Sequence, residues 1–107
     1  MPRRKASADV YHAIADPTRR AILDKLRTGS APVNAILEGF SQSRPAISKH
    51  LRVLREAQVV VEKRVGRERV YSIRPAKLQQ ISSWLESYRR FWETSLKNLK
   101  GYLESEG

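Results

Sequence analysis

The chain has 107 residues, with 21 Lys and Arg against 11 Asp and Glu, for a net charge of +10 and a pI of about 10.5. That balance points to a polyanionic partner, either nucleic acid or an anionic membrane surface. The absence of cysteine excludes disulfides, thiolate catalysis and Cys-based zinc sites.

An apolar content of 40% is that of a folded chain. The length implies one domain over residues 1–107, with a modest core that oligomerisation would help to complete. The opening "MPRRKASADV" is basic but holds no apolar run, so it is no signal peptide. No stretch approaches a membrane span, and a cytoplasmic location is the expectation.

In chain order, residues 1–7 read as a loose basic arm, and a short helix follows over Asp9 to Ala15. Asp16 caps a second helix with Pro17 at its first position, where a missing N–H costs nothing. Ile22, Leu23 and Leu26 give that helix its apolar face, and Gly29 ends it. "APVNAILEGF" reads as a third, short helix closed by Gly39. Ser43 caps a fourth, running to about Ala57. The period then changes. "VVVEKRV" and "RVYSI" are rich in β-branched and aromatic residues and flank a turn at Gly66, Arg67 and Glu68, so residues 60–73 form a two-strand hairpin. Pro75 stops the second strand. From Ala76 to about residue 104 the helical period returns, with Leu78, Ile81, Leu85, Tyr88, Trp92, Leu96, Leu99 and Leu103 stepping by three or four. That stripe is longer than one small core can cover, and dimerisation through it is expected. Trp84, Tyr88, Phe91 and Trp92 fit a dimer core better than a pocket for an aromatic ligand.

The fourth helix carries the chemistry. In "SQSRPAISKHLRVLRE", residues 41–56, Ile47, Leu51 and Leu54 fall within a narrow arc at about 100° per residue. Arg44, Pro45, Ser48, Lys49, Arg52, Arg55 and Glu56 are placed on the other side, with Gln42 and Ser43 just ahead. One face docks and the other presents cations, behind a short helix and a tight turn. This is helix-turn-helix geometry, suited to the DNA major groove. Arg44, Ser48, Lys49 and Arg52 are the candidates for bases and phosphates, and Pro45 and Ala46 for thymine methyls. Arg67 at the hairpin tip, with Arg64 and Arg69 nearby, is placed at the minor groove or its phosphates. The rival reading is a sequence-indifferent basic protein that binds RNA or compacts DNA. The hairpin lacks the exposed aromatics that stack on single strands, which argues against it.

"ADPTRRAILDKLRTG", "SRPAISKHLRVLREA", and a hairpin with Gly66-Arg67 and "VYSI" together resemble the ArsR family of winged-helix bacterial repressors, over about Val10 to Leu103. The resemblance implies a mainly helical winged helix-turn-helix with a long C-terminal dimerisation helix, acting as a homodimer on operator DNA. It implies that Ser43 to Arg55 is the recognition helix and Glu62 to Ser72 the wing. "WLESYRRFW" is similar to a subgroup without metal sensing, whose members often repress their own operon. One departure is Gln58, where the family commonly has Gly. A left-handed cap there costs Gln about 1 kcal/mol more than Gly, unless the helix ends differently. No cofactor is implied. Asp9 and His12, one turn apart, are too few for a zinc site. His50 reads as a packing residue. No catalytic constellation is recognisable, so no enzyme is expected.

Overall fold

The computed structural model describes residues 9–106. The basic arm expected over residues 1–7 lies outside them. Among the described residues the order is α1 (Val10–Ala13), α2 (Pro17–Leu26), β1 (Ala31–Pro32), α3 (Val33–Leu37), α4 (Arg44–Glu56), β2 (Val60–Val65), β3 (Glu68–Ile73) and α5 (Pro75–Glu106).

The first two helices are set by side-chain caps. Asp9 accepts the Tyr11 N–H at 2.8 Å, and Asp16 accepts the Arg19 N–H at 3.0 Å. Each satisfies a donor that a helix start leaves unpaired. Two arginines then close the end of α1. Arg19 donates from Nε to the Ala13 carbonyl at 2.7 Å and from Nη2 to the His12 carbonyl at 3.0 Å. Arg20 donates to the Ile14 carbonyl at 2.8 Å. Both cations of "TRRA" are therefore engaged with backbone carbonyls, fixing α1 across the start of α2.

The third helix is shorter than the sequence suggests. Ala31 and Pro32 leave it to form β1, which pairs antiparallel with β3 through Ala31 opposite Tyr71 and Pro32 opposite Val70. The expected hairpin of β2 and β3 is present, and β1 extends it to a three-stranded antiparallel sheet in the order β1-β3-β2. Pro32 fits an edge strand because it has no N–H to contribute. The hairpin turn is tighter than expected. Val65 pairs with Glu68, so Glu68 belongs to β3 and the turn is Gly66-Arg67 alone. Gly66 has φ 62, which suits the first position of a two-residue hairpin turn.

Helix α4 begins as its sequence indicates, with Ser43 Oγ accepting the Ala46 N–H at 3.3 Å. Its end is a Schellman turn. Gln58 N–H reaches the Arg55 carbonyl at 2.9 Å and Val59 N–H reaches the Leu54 carbonyl at 3.0 Å. Gln58 takes the left-handed conformation, φ 61, so the departure from Gly does not change how the helix ends. The hydrophobic contact usual in this motif is supplied by Leu54 and Val59, both wholly buried.

The core forms where α4 meets the rest. Ile47, Leu51 and Leu54 are at most 1% exposed and pack with Ile22, Leu26 and Ile36 from the helices and Val60 and Tyr71 from the sheet. Truncating such a residue to Ala costs about 2–5 kcal/mol. Helix α5 has 32 residues, roughly 48 Å at 1.5 Å per residue. Only its first turns join this core, through Leu78 and Ile81. The stripe read as a dimer surface is therefore divided, since these two residues are partly buried within their own chain.

Candidate nucleic-acid interface

The exposed side of α4 is narrower than its sequence implies. Taking Ile47 as zero and about 100° per residue, Pro45, Ser48, Lys49 and Arg52 fall between about 100° and 200°, while Arg44 and Arg55 fall at about 60° and 80°. Those two stand on the flank, and the structure shows neighbours engaging both. Arg44 Nη1 donates to Asn34 Oδ1 on α3 at 2.6 Å. Arg55 Nη1 donates to Glu62 Oε2 on β2 at 2.8 Å. Outward remain Pro45, Ser48 and Lys49, all exposed, with Ala46 half-buried. Arg52 is also outward but pairs with Glu56 one turn on, Nε to Oε1 at 3.0 Å. An exposed i,i+4 pair is worth little, so this guanidinium is easily surrendered to a phosphate. At the lip, Gln42 donates to Thr18 Oγ1 at 2.9 Å, and the Ser43 hydroxyl is occupied as the cap.

The wing stands beside the start of this helix. A recess of about 270 Å³ is lined by Asn34 and Arg44 on one side and by Arg67, Glu68 and Arg69 on the other. The start of α4 and the wing tip therefore border one recess, with Arg44, Arg67 and Arg69 among its lining. Among the described residues, Lys49, Arg64 and Arg67 make no ion pair. Arg69 is different: its Nε lies 3.7 Å from Glu62 Oε1.

Glu62 organises this side of the sheet. It sits directly opposite Tyr71 on β3, whose hydroxyl donates to Glu62 Oε2 at 2.9 Å. Burial acts to raise the carboxyl's pKa, but the hydrogen bonds from Tyr71 and Arg55 and the charges of Arg69 and Arg55 outweigh it, and Glu62 titrates below the ordinary glutamate range. Burial and the same carboxylate raise the Tyr71 hydroxyl. Sequence reasoning missed Asn34, Glu62 and Tyr71. Glu62 is the one acid of β2, and the strand alternation could have placed it across from Tyr71; the Asn34 contact leaves no such signal.

His50 lies at the back of α4, half-buried. Its Nδ1 is 3.3 Å from Arg19 Nη1 and 3.8 Å from Asp16 Oδ2, so it joins α4 to the start of α2, as a packing residue does. The Asp9 carboxylate is the cap of α1 and His12 is exposed. Beyond Ile81, the residues Leu85, Tyr88, Trp92, Leu96, Leu99 and Leu103 are 40–63% exposed. Trp84 packs in its own chain, edge-on to Tyr11 of α1 at 5.8 Å between ring centroids. No helix among the described residues is long and apolar enough to cross a membrane.

Comparison with known proteins agrees with this geometry. The pattern of the bacterial regulatory protein, arsR family, matches residues 16–61, from the cap of α2 into β2. The chain is similar to the HTH-type transcriptional regulator Rv2034 of Mycobacterium tuberculosis, with 37% identity over 97 residues, covering 91% of this chain and 88% of the relative. It is also similar to the transcriptional repressor SdpR of Bacillus subtilis, with 40% identity over 80 residues, covering 75% of this chain and 89% of the relative. Among solved structures, the crystal structure of an ArsR family transcriptional regulator superposes with a TM-score of 0.70 at 31% identity, covering 78% of this chain and 91% of that one. A basic helix-turn-helix with a wing at its side, matched in sequence and in fold, places the chain in the arsR family: it is a DNA-binding transcription regulator and not an enzyme.

Proposed function

We propose that the protein is a homodimeric repressor that binds a palindromic operator, with α4 in the major groove and the β2–β3 hairpin as wing. The observation that carries this reading is the shared basic border of α4 and the wing tip, where Arg44 and Arg67 line one recess. Ser48, Lys49 and Arg52 then meet base edges and phosphates, Pro45 and Ala46 meet thymine methyls, and Arg64 and Arg67 hold phosphates beside the minor groove. The exposed part of the α5 stripe, from Leu85 to Leu103, is the surface between the two copies. Repression is supported by the likeness to the transcriptional repressor SdpR.

The reading also takes DNA binding to be independent of metal, because the chain has no cysteine and Asp9 is used as a helix cap. The test is a gel-shift titration on genomic fragments selected by the protein, with and without excess random duplex. Specific complexes should survive the competitor; if random duplex removes them in proportion to its amount, binding is sequence-indifferent. Repeating the titration with a chelator should leave affinity unchanged, and a shift there overturns the metal-independent reading.

A further inference from the structure

Resting on that reading, we propose that Glu62 is a specificity-determining residue: it occupies Arg55 and Arg69 in place of DNA phosphate and so limits sequence-indifferent binding. Three side chains from two elements converge on its carboxylate. Arg55 comes from the last turn of α4 at 2.8 Å, Arg69 from β3 at 3.7 Å, and the Tyr71 hydroxyl from β3 at 2.9 Å. The two arginines flank the surface that faces DNA, one at the foot of the recognition helix and one on the wing.

The strand register explains why an acid is needed there. Arg64 and Arg69 are direct cross-strand partners, and like charges so placed repel. Glu62 is two residues from Arg64 on the same face of β2 and diagonal to Arg69. Its side chain is 20% exposed, against 43% for Arg55 and 61% for Arg69. The acid is therefore inside, held by Tyr71, while the cations are drawn back towards it from solvent. The carboxylate accepts from the Arg55 guanidinium as a phosphate oxygen would, and its charge attracts Arg69 at 3.7 Å. While Glu62 holds them, Arg55 and Arg69 add less to the phosphate contacts that every duplex supplies alike. The discrimination between operator and other DNA, which depends on base edges, is preserved.

Glu62→Gln removes the charge and keeps an oxygen for Tyr71. It should tighten binding to random duplex several-fold and steepen the dependence of log affinity on log salt by up to about 1.8, if both freed arginines reach phosphates at about 0.9 each. Operator affinity should gain less, so the ratio of operator to random binding falls. A purely structural role would lower the melting temperature and weaken operator binding without steepening the salt dependence. The second variants are made in the Glu62→Gln background, where adding Arg55→Ala or Arg69→Ala should take back the gain in random-duplex affinity and salt slope. A gain that survives the loss of both arginines, or an unsteepened slope in Glu62→Gln, overturns the role of Glu62. Lys49→Ala and Arg67→Ala separate this from failure of the DNA reading. Both should weaken random-duplex binding, and if neither does, the surface itself has been misassigned.

Discussion

Two residues show how local chemistry sets this fold, and each yields a measurable consequence. Gln58 ends α4 in the left-handed conformation, where a Cβ costs about 1 kcal/mol relative to glycine. The Schellman bonds and the Leu54–Val59 contact hold it there. Gln58→Gly should therefore stabilise the protein by about 1 kcal/mol in chemical denaturation, less what glycine adds to the freedom of the unfolded chain. A loss of stability would mean that the Gln58 side chain contributes something the geometry does not reveal. Asp16 provides a second case. Burial tends to raise its pKa, but the hydrogen bond from the Arg19 N–H and the nearby charges of His50 and Arg19 prevail, so it lies below its ordinary value of 3.8. A lowered carboxyl pKa stabilises the fold above the unfolded-state pKa, and that stabilisation is lost as pH falls through the folded-state value. Asp16→Ala should cost about 1 kcal/mol at pH 7, and the gap from the parent should close progressively below pH 3.8. A gap that stays constant into acid would show that the carboxylate charge has no part in the cap.

At the scale of elements, α5 divides into a part packed in its own chain and a part left exposed by it. Leu78 and Ile81 complete the core, whereas Leu96 is 63% exposed and far along the helix. Leu96→Glu should leave the monomer folded and dissociate the proposed dimer. Each dimer loses two buried leucines, at least about 1.5 kcal/mol each, so dissociation should strengthen by about a hundredfold or more. Sedimentation at several concentrations measures this, and an intact dimer of unchanged affinity would place the interface elsewhere. The same contrast explains what the sequence revealed. Helix starts were legible because Asp16-Pro17 and Ser43 with Pro45 act within a few residues of themselves, and the hairpin because Gly66 sits between two β-branched runs. Strand β1 was not, since two residues carry no period and Ala31 finds its partner Tyr71 across the sheet. The α4 surface was legible in outline, but Arg44 and Arg55 were grouped with its outer face although their angles put them on the flank. The residues that engage them, Asn34 and Glu62, come from other elements, and pairing of that kind has no local signature.

For the whole molecule, the proposed dimer reads two half-sites at once. A two-fold axis relating the α5 helices presents two copies of α4, each suited to one major groove. Both can lie on one face of a duplex only when the grooves are about 10 base pairs apart, or a multiple of that. The operator should accordingly be an imperfect palindrome. Inserting about five base pairs between its halves turns one half to the far side of the duplex and leaves the dimer with a single full contact. The decisive measurement is a titration of the native and the half-turn-spaced operator at one fixed salt concentration, since the phosphate contribution depends on salt. Affinity for the spaced site should fall towards that for random duplex. Equal affinity for the two sites would contradict it, because a dimer that grips both halves cannot ignore their relative rotation.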